Sequence, residues 1–145
     1  MSHEVKTLDV WSGEIDDQVG GLASKLEPLA SAGVDLQFII ARRQPHLPGK
    51  GVVFLSGISG AKATKAATAA GLAKAGDLVA LRVEGPNKPG ACHQITRRLA
   101  DAAINLRGIS AGVMGKKFLL FLAFDSKDDA ATAARLLRAA GGKKK

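Results

Sequence analysis

At 145 residues, 46% of them apolar, the chain can bury one ordinary core or two small ones, and this composition excludes a disordered protein. The formal charge of +8, from 21 Lys and Arg against 13 Asp and Glu, admits an anionic partner. One cysteine excludes an internal disulfide, the apolar run at 118–124 is far short of the roughly 20 residues a bilayer-spanning helix needs, and MSHEVKTLDVW lacks the apolar core of a secretion signal. The expected location is the cytoplasm.

In chain order, Lys6–Trp11 reads as a first strand and 12–19 as a loop. Gly20-Gly21 opens a helix with Leu22, Leu26 and Leu29 as its stripe, a kink expected at Pro28 and an end at Gly33. Val34–Ala41 reads as a strand, Arg42–Gly51 as a Pro/Gly connection and Val52–Ser56 as a third strand. A helix from Ala61 to Ala75 follows, with Ser59 as its expected cap. The alternation of Val79, Leu81 and Val83 marks a strand at 78–83. Gly85-Pro86-Asn87-Lys88-Pro89-Gly90 then forces a turn. The next helix, from about 90 to 103, carries Cys92, Ile95, Leu99 and Ala102 as its apolar stripe. A strand from Ile104, a strand Phe118–Phe124 and a helix from about Ser126 to Ala139 complete the order, ahead of a short Lys143–Lys145 tail expected to be mobile.

The order repeats, and so do residues. Leu29-Ala30, Val34, Leu36 and Ala41 match Leu99-Ala100, Ile104, Leu106 and Ala111 at a constant offset of 70, as Gly20 matches Gly90. Asn87-Lys88-Pro89-Gly90, a helix, and then Ile104-Asn105-Leu106 resembles the ACT domain, the βαββαβ regulatory module. Its usual pattern is Asp-x-Pro-Gly, a Leu-rich helix and an Ile-Asn-Leu strand start. The resemblance covers nearly the whole chain as two copies, 1–76 and 77–145. It implies an α+β fold of two ferredoxin-like units, each an antiparallel sheet with helices on one face.

The resemblance further implies a non-catalytic regulatory module that needs no cofactor and binds an amino acid between adjacent ACT units. The implied ligand contacts are Asn87, Lys88, Pro89, Gly90, Ala91, Cys92 and Asn105. The chemistry fits. Gly90 permits close backbone approach, a helix N-terminus offers free N–H groups to a carboxylate, and Asn105 both donates and accepts. Asp17, Gln18, Gly20, Gly21 and Asp35 are the corresponding positions of the first copy. There Val19 stands where the family has Pro, and Asp35, in place of Asn, would repel a ligand carboxylate. In the second copy Asn87 replaces the usual Asp and Cys92 the usual Leu.

Six strands are visible where two units need eight. The fourth strands are therefore expected to be short, shared or missing, with edge-to-edge pairing of the copies or a homodimer to complete the sheets. A regulated protein partner is expected; a membrane is not.

Other chemistry is sparse. His3, His46 and His93 are scattered, which gives no metal-ligand spacing. Adjacent helical residues diverge by about 100°, so Cys92 and His93 do not form a catalytic couple, and Cys92 reads as a small core residue. Ser59-Gly60-Ala61-Lys62 lacks the phosphate-loop spacing. Aromatic residues are scarce and none is interleaved with the basic ones, which argues against nucleic acid. The alternative function is a basic module contacting nucleic acid or an acidic protein, and a duplicated scaffold with decayed sites is the third reading.

Overall fold

The computed structural model describes residues 3–142. The Lys143–Lys145 tail, expected to be mobile, lies outside them. Among the described residues there are six strands and four helices: β1 (Glu4–Asp16), α1 (Gly21–Ser31), β2 (Phe38–Arg43), β3 (Lys50–Ser56), α2 (Ala61–Ala69), β4 (Ala73–Pro86), α3 (Ala91–Asp101), β5 (Gly108–Met114), β6 (Lys117–Phe124) and α4 (Lys127–Gly142). The chain divides into two compact units. One runs from Asp9 to Ala75; the other joins the N-terminal residues up to Leu8 with the chain from Gly76 onward.

The second of these units shows how its pattern makes its fold. Phe118, Leu120, Leu122 and Phe124 are buried at every second position of β6, and they pair antiparallel with Gly85, Val83, Leu81 and Val79 of β4. On the other side β6 pairs antiparallel with β5. Ile95 and Leu99 of α3 and Ala130, Ala133, Ala134 and Leu137 of α4 cover that face, at the three-and-four spacing of amphipathic helices. Ser126 caps α4, its hydroxyl accepting the Asp129 N–H at 3.1 Å, with Asp128 and Asp129 in the first turn. The Asp9–Ala75 unit is built the same way. There β3 pairs antiparallel with β1 and β2, and Trp11, Leu29, Val53, Leu55, Ala63 and Ala67 share a core. Each unit is thus an antiparallel sheet with two helices on one face.

Both fourth strands come from the chain itself. β1 is 13 residues long and β4 is 14, and the unit division falls within β1 and just inside the start of β4. In the sheet order β1 neighbours β4. Residues 4–8 of β1 belong to the unit that otherwise holds β4, β5 and β6, where Val5 is buried in the same cluster as Leu81 and Val83. Residues 73–75 of β4 belong to the unit that otherwise holds β1, β2 and β3. The strands are shared, and a second copy of the chain is not needed to supply them.

Several local expectations are corrected. The first strand extends beyond Lys6–Trp11, because Ser12–Asp16 pair in register with Phe54–Lys50. The second helix stops at Ala69, and Gly71 at φ 84° turns the chain into β4. Gly60, not Ser59, is the cap of α2, and no side chain bonds there. β2 and β5 begin at Phe38 and Gly108, four residues after the expected Val34 and Ile104. After α1 and α3, the N–H groups of Val34 and Ile104 are taken by the carbonyls of Leu29 and Leu99, each at 3.0 Å, so these residues close the helix ends and start no ladder. α1 runs on through Pro28 to Ser31.

The repeat is visible in the backbone. Gly20 and Gly90 take φ 83° and 84° at the same helix start, 70 positions apart. Gly33 at φ 74° has Ala103 as its equivalent, and Ala103 at φ 62° carries a side chain in the left-handed region. Ala103→Gly is expected to raise stability by roughly 0.5–1 kcal/mol, the left-handed penalty less the extra freedom glycine gives the unfolded chain. Gly33→Ala is expected to lower it by about 1 kcal/mol. Urea unfolding of the two variants, with unchanged m-values, checks both signs.

Candidate ligand-binding loops

The strand-to-helix loops of the two units share one hydrogen-bond plan. After β4, the Asn87 N–H donates to the Lys116 carbonyl at 2.9 Å and the Ala91 N–H to that of Lys88 at 3.1 Å. After β1, the Asp17 N–H donates to the Gly49 carbonyl at 3.0 Å and the Gly21 N–H to that of Gln18 at 3.0 Å. Gly90 and Gly20 then cap α3 and α1 without a side-chain bond. The first rung of each helix is Gln94 to Gly90 and Ser24 to Gly20, both 2.9 Å. The N–H groups of Cys92 and His93 therefore precede the ladder of α3 and lie at its partially positive end.

The two loops differ in their side chains. Asn87, Lys88, Pro89 and Gly90 are exposed, Ala91 is half-buried, and no acidic residue stands in the first turn of α3. Lys116, whose carbonyl receives Asn87, is a second exposed lysine in the chain at that end. The first loop instead brings two carboxylates together with two cations. Arg43 Nε donates to Asp17 at 2.6 Å, and Lys50 Nζ donates to Asp16 at 2.9 Å. These bonds, and behind them the charges of the pairs, raise the Arg43 and Lys50 pKa values and lower that of Asp16. All four groups are solvent-exposed, so the pairs fix the loop's charge more than its stability.

Asn105 and Asp35 do not start strands. Each is exposed, in the connection after α3 or α1. The Gln37 Nε2 donates to the Asp35 carboxylate and carbonyl, both at 3.3 Å. Asn105 lies beyond the C-terminal end of α3, whereas Gly90 lies at its start, and 11 helical residues separate these ends by about 16 Å. The structure thus brings Asn87 to Cys92 together as one loop and does not bring Asn105 to it within the unit. A small ligand that touched both would have to be held by Asn105 of one unit and the loop of another.

Cys92 is exposed and not a core residue. The core-facing stripe of α3 is half-buried Ala91 with buried Ile95 and Leu99, a strict spacing of four, which turns Cys92 and Ala102 outward. Arg43, Lys50 and Lys116 are the loop neighbours that sequence reasoning missed. Only strand register sets them beside the loops. A surface groove of about 340 Å³ also flanks the first loop, between Ile15, Asp16 and Lys50 on one side and Gly21, Ser24, Lys25 and Pro28 on the other. Lys25 Nζ closes one end by donating to the Ala70 carbonyl at 2.8 Å. Among the described residues no group of three His, Cys, Asp or Glu is placed to hold a metal ion.

Gly21 marks a further difference between the loops. A Cβ there would lie 2.0 Å from the Asp16 carbonyl oxygen, whereas the equivalent position 91 carries alanine. Gly21→Ala is expected to cost about 1–3 kcal/mol as the loop moves off that carbonyl. Ala91→Gly should cost no more than about 1 kcal/mol. Thermal unfolding of both variants tests whether the first loop is the more tightly built.

Comparison with known proteins agrees with this architecture. Residues 79–141 match the family model of the ACT domain. No curated protein matches the chain. Among solved structures, the ligand-free regulatory subunit of aspartate kinase from Thermus thermophilus is similar at a TM-score of 0.64 and 16% identity, over 99% of this chain and 98% of that one. The regulatory subunit of aspartate kinase from Thermus flavus is similar at 0.67 and 17%, over 97% of each chain. A protein of Bacteroides thetaiotaomicron is similar at 0.71 and 16%, over 90% and 88%. At these identities the likeness is one of fold. Residues 79–141 thus carry the match to the ACT domain model, and residues 9–75 repeat the same antiparallel, two-helix fold earlier in the chain.

Proposed function

We propose that this chain is a non-catalytic regulatory module that binds an amino acid at the loop before α3. The observation that carries the reading is the ACT match over 79–141 together with the Gly90-capped start of α3 inside it. The ligand carboxylate faces the N–H groups ahead of α3, with Lys88 and Lys116 adding positive charge. Asn87, Pro89, Ala91 and Cys92 line the same turn. Asn105, donor and acceptor, holds the ligand's polar end from a neighbouring unit or a second copy, because it stands about one helix length from Gly90 in its own unit. Similar folds serve as regulatory subunits of aspartate kinase in Thermus. By analogy this module acts on a protein partner.

The two loops are not equivalent sites. Asp17, Gln18, Gly20 and Gly21 reproduce the backbone, but Asp16 and Asp17 already occupy the cations that a ligand carboxylate would use. Asp35 in place of Asn105 sets a further negative charge at the other end. The Asn87 loop is the ligand loop and the Asp17 loop is its structural partner.

A thermal-shift screen of the twenty amino acids at millimolar concentration tests this. A ligand at a hundred times its dissociation constant stabilises the folded state by about 2.7 kcal/mol. One or two amino acids are expected to raise Tm, with the shift lost in Asn105→Ala and kept in Asp35→Ala. The shift should change little between low and moderate salt, in contrast to the steep salt dependence of phosphate-backbone binding. A panel with no shift, or a shift insensitive to Asn105, refutes the assignment.

A further inference from the structure

The ACT-matched segment begins at residue 79, yet its sheet is completed from residues 3–8 at the start of the chain. The fastening of this short stretch is local and specific. Val5 packs into the core cluster with Leu81, Val83 and Leu122. The Arg138 guanidinium of α4 donates to the Val5 carbonyl at 2.8 Å. The half-buried His3 ring stands edge-on to Phe118, with centroids 5.6 Å apart, and its Nδ1–H donates to the Leu137 carbonyl of α4 at 3.3 Å. It occupies space that Gly85 leaves open: a Cβ on Gly85 would lie 2.6 Å from His3 Cδ2.

This seat suits a neutral imidazole. The groups that meet the ring from β4 and β6, Gly85 and Phe118, carry no charge. From α3 the nearby charge is Arg98, and from α4 it is Arg138 on the adjoining carbonyl; both are positive. The Leu137 carbonyl is the one group that favours protonation.

We propose that residues 3–8 form a proton-gated latch: with His3 neutral they are seated as the fourth strand of the ACT unit, and with His3 protonated they detach while the rest of that unit stays folded. Partial burial is the largest influence on the His3 pKa and lowers it; the Leu137 bond opposes this and Arg98 reinforces it, for a net lowering from 6.5. The sign follows from linkage. The unseated segment has the ordinary pKa and the seated one a lower pKa, so seating is at full strength above about pH 6.5 and is lost as pH falls through the seated value. What detaches is the end of β1 outside its Trp11–Asp16 register with β3, and its loss leaves the α3–α4 face of the sheet in place.

Amide hydrogen exchange by NMR on the full chain tests the latch at pH 7.5 and pH 5.0, after correction for intrinsic rates. Protection of Val5 to Leu8 is expected to fall severalfold at the lower pH while that of Leu120 and Leu122 in β6 holds. His3→Phe, which keeps a ring over Gly85 and cannot titrate, should remove that pH dependence. Protection of residues 5–8 that is unchanged between the two pH values, or that falls equally in His3→Phe, overturns the proposal. The His3 ring titration in the unmodified chain is a second readout that needs no variant: a midpoint at or above 6.5 overturns the proposal independently.

Discussion

A four-stranded antiparallel unit with two helices on one face leaves apolar residues at an open edge until its last strand is in place. This constraint organises the chain. Among the described residues no strand follows α4. The edge of the second unit is closed instead by the start of β1, from the other end of the chain. The corresponding edge of the other unit is closed by the start of β4. Making two strands 13 and 14 residues long, well beyond the usual five or six, does the work of four. One consequence is that the unit holding α3 and α4 is not a contiguous stretch, because its fourth strand comes from residues before Asp9. Val5 must find Leu81 and Val83 across more than seventy residues, a long-range closure that is entropically slow to form and easily lost at its end.

Much of this was legible in the sequence because it depends on period and position. The alternation in 118–124, the stripe through Leu99 and the constant offset of 70 gave the antiparallel units and the repeat. Gly20 and Gly90 were legible as special positions because only glycine takes φ near 84° without strain. The errors share a cause. Ile104-Asn105-Leu106 has the alternation of a strand, yet Ile104 is spent on closing α3 through the Leu99 carbonyl, and the ladder waits for Gly108. Cys92 fits a three-four-three stripe as well as Ala91 fits four-four, and only the angle at which α3 meets the sheet decides between them. Likewise, no local pattern announces that Arg43 will sit beside Asp17, because their proximity is a product of strand register.

The two loops show how a duplicated backbone allows divergent chemistry. Three main-chain bonds recur at equivalent positions in both, and the first loop adds one from the Gln18 N–H to the Asp16 carbonyl at 3.0 Å, so the shape is set by main-chain groups and the two glycines. Side chains were then free to change without refolding the turn. In the first copy the change went towards internal pairing, with Asp16 to Lys50 and Asp17 to Arg43, and Gly21 became sterically obligatory against the Asp16 carbonyl. In the second, carboxylates are absent from the turn and from the first turn of α3, while Lys88 and Lys116 remain. An exposed ion pair contributes little to stability, so the pairing in the first loop is better understood by what it prevents. With its cations engaged and Asp35 at the far end of α1, that unit has little electrostatic attraction for a carboxylate. The α3 loop keeps unspent helix-end N–H groups and unspent positive charge, the physical difference between a loop that holds itself and a loop that can hold something else.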